Sequence, residues 1–118
     1  MKIYSGDTWT LEELQEQVAD AGRRSLVVPP ADSKKAVLET FGEVLNFPEH
    51  YGVNLDALYD SLHDFADSIT DNGSAPVTVL WQVAAPFRGD RSFGIICEIL
   101  QDAERYAGKD LAVTAVLL

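Results

Sequence analysis

The sequence predicts an α/β fold: a three-stranded parallel sheet packed with helices, preceded by an extra N-terminal helix. Three observations carry this prediction. Short, nearly continuous apolar runs alternate with segments whose apolar residues recur every three or four positions. Strands that are apolar along their whole length belong to parallel sheets covered by helices. A length of 118 residues is that of one domain.

Each element has its own local warrant. Thr10-Leu11-Glu12-Glu13 reads as a capping box opening a first helix, with Leu11, Leu14 and Val18 on its apolar face and Gly22 as its stop. Ser25-Leu26-Val27-Val28 is a first strand, ended by Pro29-Pro30. Asp32 or Ser33 caps a second helix, which buries Ala36, Val37, Phe41, Val44 and Leu45 and finishes before Pro48. Asn54 caps a third helix that fades at Asp71-Asn72-Gly73-Ser74. Val77-Thr78-Val79-Leu80-Trp81 is a second strand, and residues 85–90 are a loop or at most a broken turn of helix. Phe93, Ile96, Ile99, Leu100 and Ala103 face the core from a final helix that stops at Gly108, and residues 111–118 form the last strand. Residues 1–24 read as an N-terminal extension packed on a single domain of residues 1–118; Trp9 and Trp81 read as packing residues.

Composition narrows the function. Apolar residues make up 47% of the chain, enough for a packed core. No run of about 18 apolar residues exists to span a membrane, and Met1-Lys2-Ile3-Tyr4 does not begin a signal peptide. Cys97 is the only cysteine, which rules out an internal disulfide and leads us to expect a cytoplasmic protein. The net charge of -10 argues against binding nucleic acid or an anionic membrane. That charge is concentrated. Between Lys35 and Arg88 there is no Lys or Arg, while Glu39, Glu43, Glu49, Asp56, Asp60, Asp64, Asp67 and Asp71 all fall in this stretch.

The helix after Asn54 organises these acids. At about 100° per residue, Leu55, Leu58, Leu62, Phe65 and Ile69 share an arc of roughly 80°, and Asp56, Asp60, Asp64 and Asp67 share an opposite arc of roughly 80°. A solvated polar face is ordinary, and Asp56 in the first turn favours the helix dipole. Asp60 and Asp64 have no such reason to be there. Aspartate is a poor interior helix former, and the pairs Asp56–Asp60 and Asp60–Asp64 repel by a few tenths of a kcal/mol each. A ridge maintained against these costs points to a cationic partner.

Other chemistries fit less well. Asp56, Asp60 and His63 share a helix face, yet three ligands on one unbroken helix rarely enclose an ion; no metal or other cofactor is expected, and His63 reads as an exposed residue on the ridge's flank. Ser61, His63 and Cys97 form no nucleophile–base pattern, and exposed carboxylates lack the pKa separation that acid–base catalysis needs. The expectation is a binding protein, not an enzyme.

The run Phe47-Pro48-Glu49-His50-Tyr51-Gly52-Val53-Asn54-Leu55-Asp56-Ala57-Leu58-Tyr59-Asp60 resembles the signature of the barstar family, intracellular inhibitors of secreted guanyl-specific ribonucleases of the barnase type. The likeness extends over the element order from about Ser25 to Leu118. It implies that this loop and helix plug a ribonuclease active site in a 1:1 complex, with carboxylates standing in for RNA phosphates. By position, Asp60 would be central among catalytic Arg and His side chains, and Asp56 would bind a neighbouring Arg. Gly52, Asn54 and Leu55 would contact the enzyme with Tyr59 flanking, and Asp102 would reach a further cation. This chain departs from the pattern at His50, where the family carries an aromatic, usually Tyr, and at Asp102, where it carries Glu. Asp64 adds an acid that deepens the ridge. The alternative expectation is a barstar-like regulatory module for a different basic partner.

Overall fold

The computed structural model describes residues 1–118. Its centre is a parallel sheet of β1 (Lys2–Ser5), β2 (Arg24–Val28), β3 (Val77–Val83) and β4 (Leu111–Leu117), in the order β1-β4-β3-β2. The sheet therefore has four strands, not three. The additional strand is the N-terminal one, which pairs with the last, Lys2 opposite Thr114 and Ser5 opposite Leu117. Lys2-Ile3-Tyr4-Ser5 escapes a reading of apolar runs because it is short and mostly exposed, and its partner lies at the other end of the chain.

Five helices complete the fold: α1 (Leu11–Asp20), α2 (Lys34–Val44), α3 (Leu55–Asp71), the single-turn α4 (Ala85–Arg88) and α5 (Arg91–Ala107). Their ends follow local chemistry. The Thr10 hydroxyl accepts from the Glu13 amide at 3.1 Å while Glu13 accepts from the Thr10 amide at 3.2 Å, so the capping box closes. Ser33, not Asp32, caps α2, accepting from the Ala36 amide at 3.2 Å. Gly108 ends α5 at φ 61°, a backbone angle that glycine adopts without strain.

The sheet has two unequal apolar faces. One carries Val28, Val77, Val79, Trp81, Leu111, Val113 and Ala115, packed against α2, α3 and α5 through Phe41, Leu58, Leu62, Ile96 and Leu100. Trp81 sits within ring contacts of Phe41 (5.4 Å), Phe93 (5.8 Å) and Phe87 (6.2 Å). The other face is covered by α1: Leu14 packs on Leu80 and Val116, with Tyr4, Trp9, Leu11, Val18 and Val27 around it. Arg23 fastens this N-terminal unit to the rest. Its guanidinium donates to the Thr78 hydroxyl (2.8 Å), the Lys109 carbonyl (2.6 Å) and the Val77 carbonyl (2.8 Å). No helix is long and apolar enough to cross a membrane.

Candidate protein-binding site

The segment between α2 and α3 is anchored at Phe47, Tyr51 and Val53. Phe47 donates its amide to the Gly42 carbonyl at 2.9 Å, and its ring meets Tyr51 edge-on with centroids 5.0 Å apart. The Tyr51 hydroxyl donates to the Leu38 carbonyl at 3.1 Å, and burial of that ring pushes its phenol up to about 12. Val53 packs against the main core although its φ is 48°, a left-handed conformation that strains a β-branched residue by roughly 1–2 kcal/mol. With Tyr51 and Val53 turned inward, His50, Gly52 and Asn54 are exposed.

Asn54 joins this loop to the helix. Its side-chain oxygen accepts from the Ala57 amide at 2.8 Å, satisfying an open donor of the first turn, while its amide donates to the Gly52 carbonyl at 3.3 Å. A Cβ on Gly52 would stand 3.1 Å from that amide nitrogen, so a side chain there would crowd the cap.

The phasing of α3 is close to the expected one. Leu58, Leu62, Ala66 and Ile69 are buried, whereas Leu55 and Phe65 are half-buried at the edge of the core. Asp56, Asp60, Asp64 and Asp67 are exposed, and no carboxylate of α3 is in an ion pair. Asp67 is distinct: it accepts a hydrogen bond from the Tyr106 hydroxyl at 2.6 Å. Asp56, Asp60 and Asp64 are left as three carboxylates at successive four-residue steps. Asp102 lies on α5, which packs along α3, and is paired with Arg105 three residues on. An exposed pair of that kind is weakly held, so Asp102 can exchange its cation.

His63 differs from expectation. Its ring is half-buried, packed between Tyr59 (centroids 4.2 Å, planes 31° apart) and Tyr106 (4.6 Å, 43°). Its Nδ1 donates to the Tyr59 carbonyl at 2.9 Å, since a carbonyl can only accept. Tyr59 and Tyr106 are 40% and 55% exposed, so each ring presents surface to solvent. The hydrogen bond to Asp67 is the first cause raising the Tyr106 phenol above its ordinary value, with desolvation and the charges of Asp67, Asp64 and Asp71 adding to it. Sequence spacing missed Tyr106; its one signal was a position a helical turn beyond Asp102.

Neither Ser61 nor Cys97 hydrogen-bonds His63, and burial pushes the Cys97 thiol up, away from the thiolate form that nucleophilic chemistry uses. No three His, Cys, Asp or Glu side chains converge as a metal site would require.

The fold and this surface together define a class: a small parallel α/β domain presenting one acidic helix behind a rigid capped loop. The chain belongs to the barstar family, whose model, described as barstar (barnase inhibitor), matches residues 23–118. That match begins within the Arg23 clamp and leaves β1 and most of the N-terminal unit outside it. No individual curated protein matches the chain.

Proposed function

We propose that this protein is a stoichiometric inhibitor of a secreted, barnase-like guanyl-specific ribonuclease, which it blocks in a 1:1 complex from within the cytoplasm. The observation that carries the reading is the row of exposed, unpaired carboxylates Asp56, Asp60 and Asp64, set beside a loop anchored through Phe47, Tyr51 and Asn54. A ribonuclease active site is built to hold phosphates with Arg, Lys and His. Carboxylates at fixed spacing offer it the same charge-assisted hydrogen bonds without a bond to cleave. Asp60 is the central contact, Asp56 its neighbour, and Gly52, Asn54, Leu55 and Tyr59 the surrounding surface. His50 stacks at the rim and Asp102 reaches a peripheral cation. An immunity role follows, protecting the cell's own RNA until the enzyme is exported.

One observation favours a second reading, a regulatory module for another basic protein: His50 occupies the exposed loop position where the family carries an aromatic. The deciding experiment titrates the purified protein into a barnase-type ribonuclease during RNA cleavage. Activity should fall linearly to zero at one equivalent. Full activity at tenfold excess, for barnase and for any ribonuclease encoded beside this gene, overturns the inhibitor reading.

A further inference from the structure

The ring stack between α3 and α5 has features that a helix contact alone does not need. Two tyrosines flank one histidine, and both remain substantially exposed. Each tyrosine meets the imidazole in a tilted contact and keeps a large share of its surface in solvent. The Tyr106 ring is held at both ends, by its hydroxyl on Asp67 and its face on His63. Carboxylates border the stack on both helices: Asp60 and Asp64 adjoin Tyr59 and His63 in sequence, and Asp102 lies one turn before Tyr106. The nearest basic side chain on either helix, Arg105, is held only by its exposed, exchangeable pair with Asp102.

We infer that the Tyr59–His63–Tyr106 stack is a recognition element for arginine on the basic partner, seating a guanidinium on the exposed surface of the Tyr106 ring while neighbouring aspartates accept its N–H groups. The inference rests on the reading of this surface as the docking site for a basic protein. Arginine fits better than lysine, for a geometric reason. A guanidinium is planar, weakly hydrated and carries N–H groups around its edge, so it stacks and hydrogen-bonds at once. An ammonium is a hydrated point that must give up one interaction for the other. The chain supplies its own instance of half this arrangement, since Asp102 already accepts from the Arg105 guanidinium. The stack also ties Asp102 on α5 to Asp60 and Asp64 on α3, so both acidic edges are preorganised before an encounter.

The test uses two probes, hexa-arginine and hexa-lysine peptides, and follows the side-chain resonances of Tyr59, His63 and Tyr106. The wild-type chain should bind the arginine peptide about two- to fivefold more tightly, as expected for cation–π contacts at exposed sites. Tyr106→Ala should bring that ratio to one, and Asp60→Ala should weaken both peptides alike and leave the ratio intact. Tyr106 is exposed, so the variant keeps its core; Tyr106→Leu, which retains bulk without a π face, should behave like Tyr106→Ala. A wild-type ratio of one, or a ratio that survives both Tyr106 substitutions, overturns the inference. If the chain inhibits no barnase-type ribonuclease, the proposed function falls, and the peptide ratio still decides the stack.

Discussion

The ring of Tyr51 lies directly against the backbone of Gly42: a Cβ on that glycine would stand 2.9 Å from two of the ring's carbons. Alanine in place of glycine inside a helix ordinarily stabilises by up to about 1 kcal/mol. Here the ring is pinned by its hydroxyl bond to Leu38 and by the edge contact with Phe47, so it cannot swing away freely. Gly42→Ala should therefore destabilise, by roughly 1–3 kcal/mol as in other overpacked sites. A shift of the urea midpoint to higher concentration would show that the ring yields easily.

Tyr51 also sets an alkaline limit. Its pKa is raised from 10.0 to about 12 by burial, so its native proton is held more tightly than in the unfolded chain. The stability linked to it is complete below the unfolded value and is lost as pH rises from 10 towards 12. The ring is only half-buried, so solvent screening keeps the loss to roughly 1–2 kcal/mol. Tyr51→Phe should cost about 0.5–1.5 kcal/mol near neutrality through the lost hydrogen bond. It should also flatten the alkaline decline, which urea denaturation across this pH range measures directly.

Asp60→Ala should weaken binding to the proposed ribonuclease partner by about 2 kcal/mol or more, as truncation of a central charged contact does. Glu39→Ala, on α2, should change it little. Both variants should melt close to the wild type, because both side chains are exposed. Equal small losses in a calorimetric titration would remove Asp60 from the centre of the interface.

Asp64 should show stability and function pulling apart. Asn at this position relieves like-charge repulsion with Asp60 one turn away, a gain of a few tenths of a kcal/mol in the free protein. The same change removes part of the field that draws in a cationic enzyme, so association should slow while dissociation changes less. Association of the wild type should itself slow steeply with added salt. A salt-independent rate in stopped-flow measurements would point to an apolar interface instead.

The elements legible in the sequence were those whose signals are local. Periodicity along 55–71 placed the core and acid faces of α3, and the caps at Thr10 and Asn54 fixed helix starts that the hydrogen bonds bear out. The main strands were legible because each is apolar over most of its length. β1 was not, since only its pairing with a strand more than a hundred residues away makes Lys2-Ile3-Tyr4-Ser5 a strand. The same holds within the site. The ridge could be read from one helix, whereas the stack on His63 depends on how α5 lies against α3. Val53 was opaque for a further reason: nothing in its β-branched side chain announces a positive φ, which the core contact and the turn impose on it.

β4 is a seven-residue stretch, Leu-Ala-Val-Thr-Ala-Val-Leu, with no charge and strong β propensity. Such a segment at an open sheet edge is a template for self-association. β1 occupies the Thr114–Leu117 part of that edge, and its own outer side is only four residues long and bears Lys2, both of which discourage further pairing. The N-terminal strand is thus expected to shield the carboxyl-terminal part of the most aggregation-prone segment. A chain lacking residues 1–6, which keeps α1 on its face of the sheet, should form oligomers in size-exclusion chromatography at concentrations where the full chain elutes as a single small species. A well-behaved truncated chain would locate the protection elsewhere.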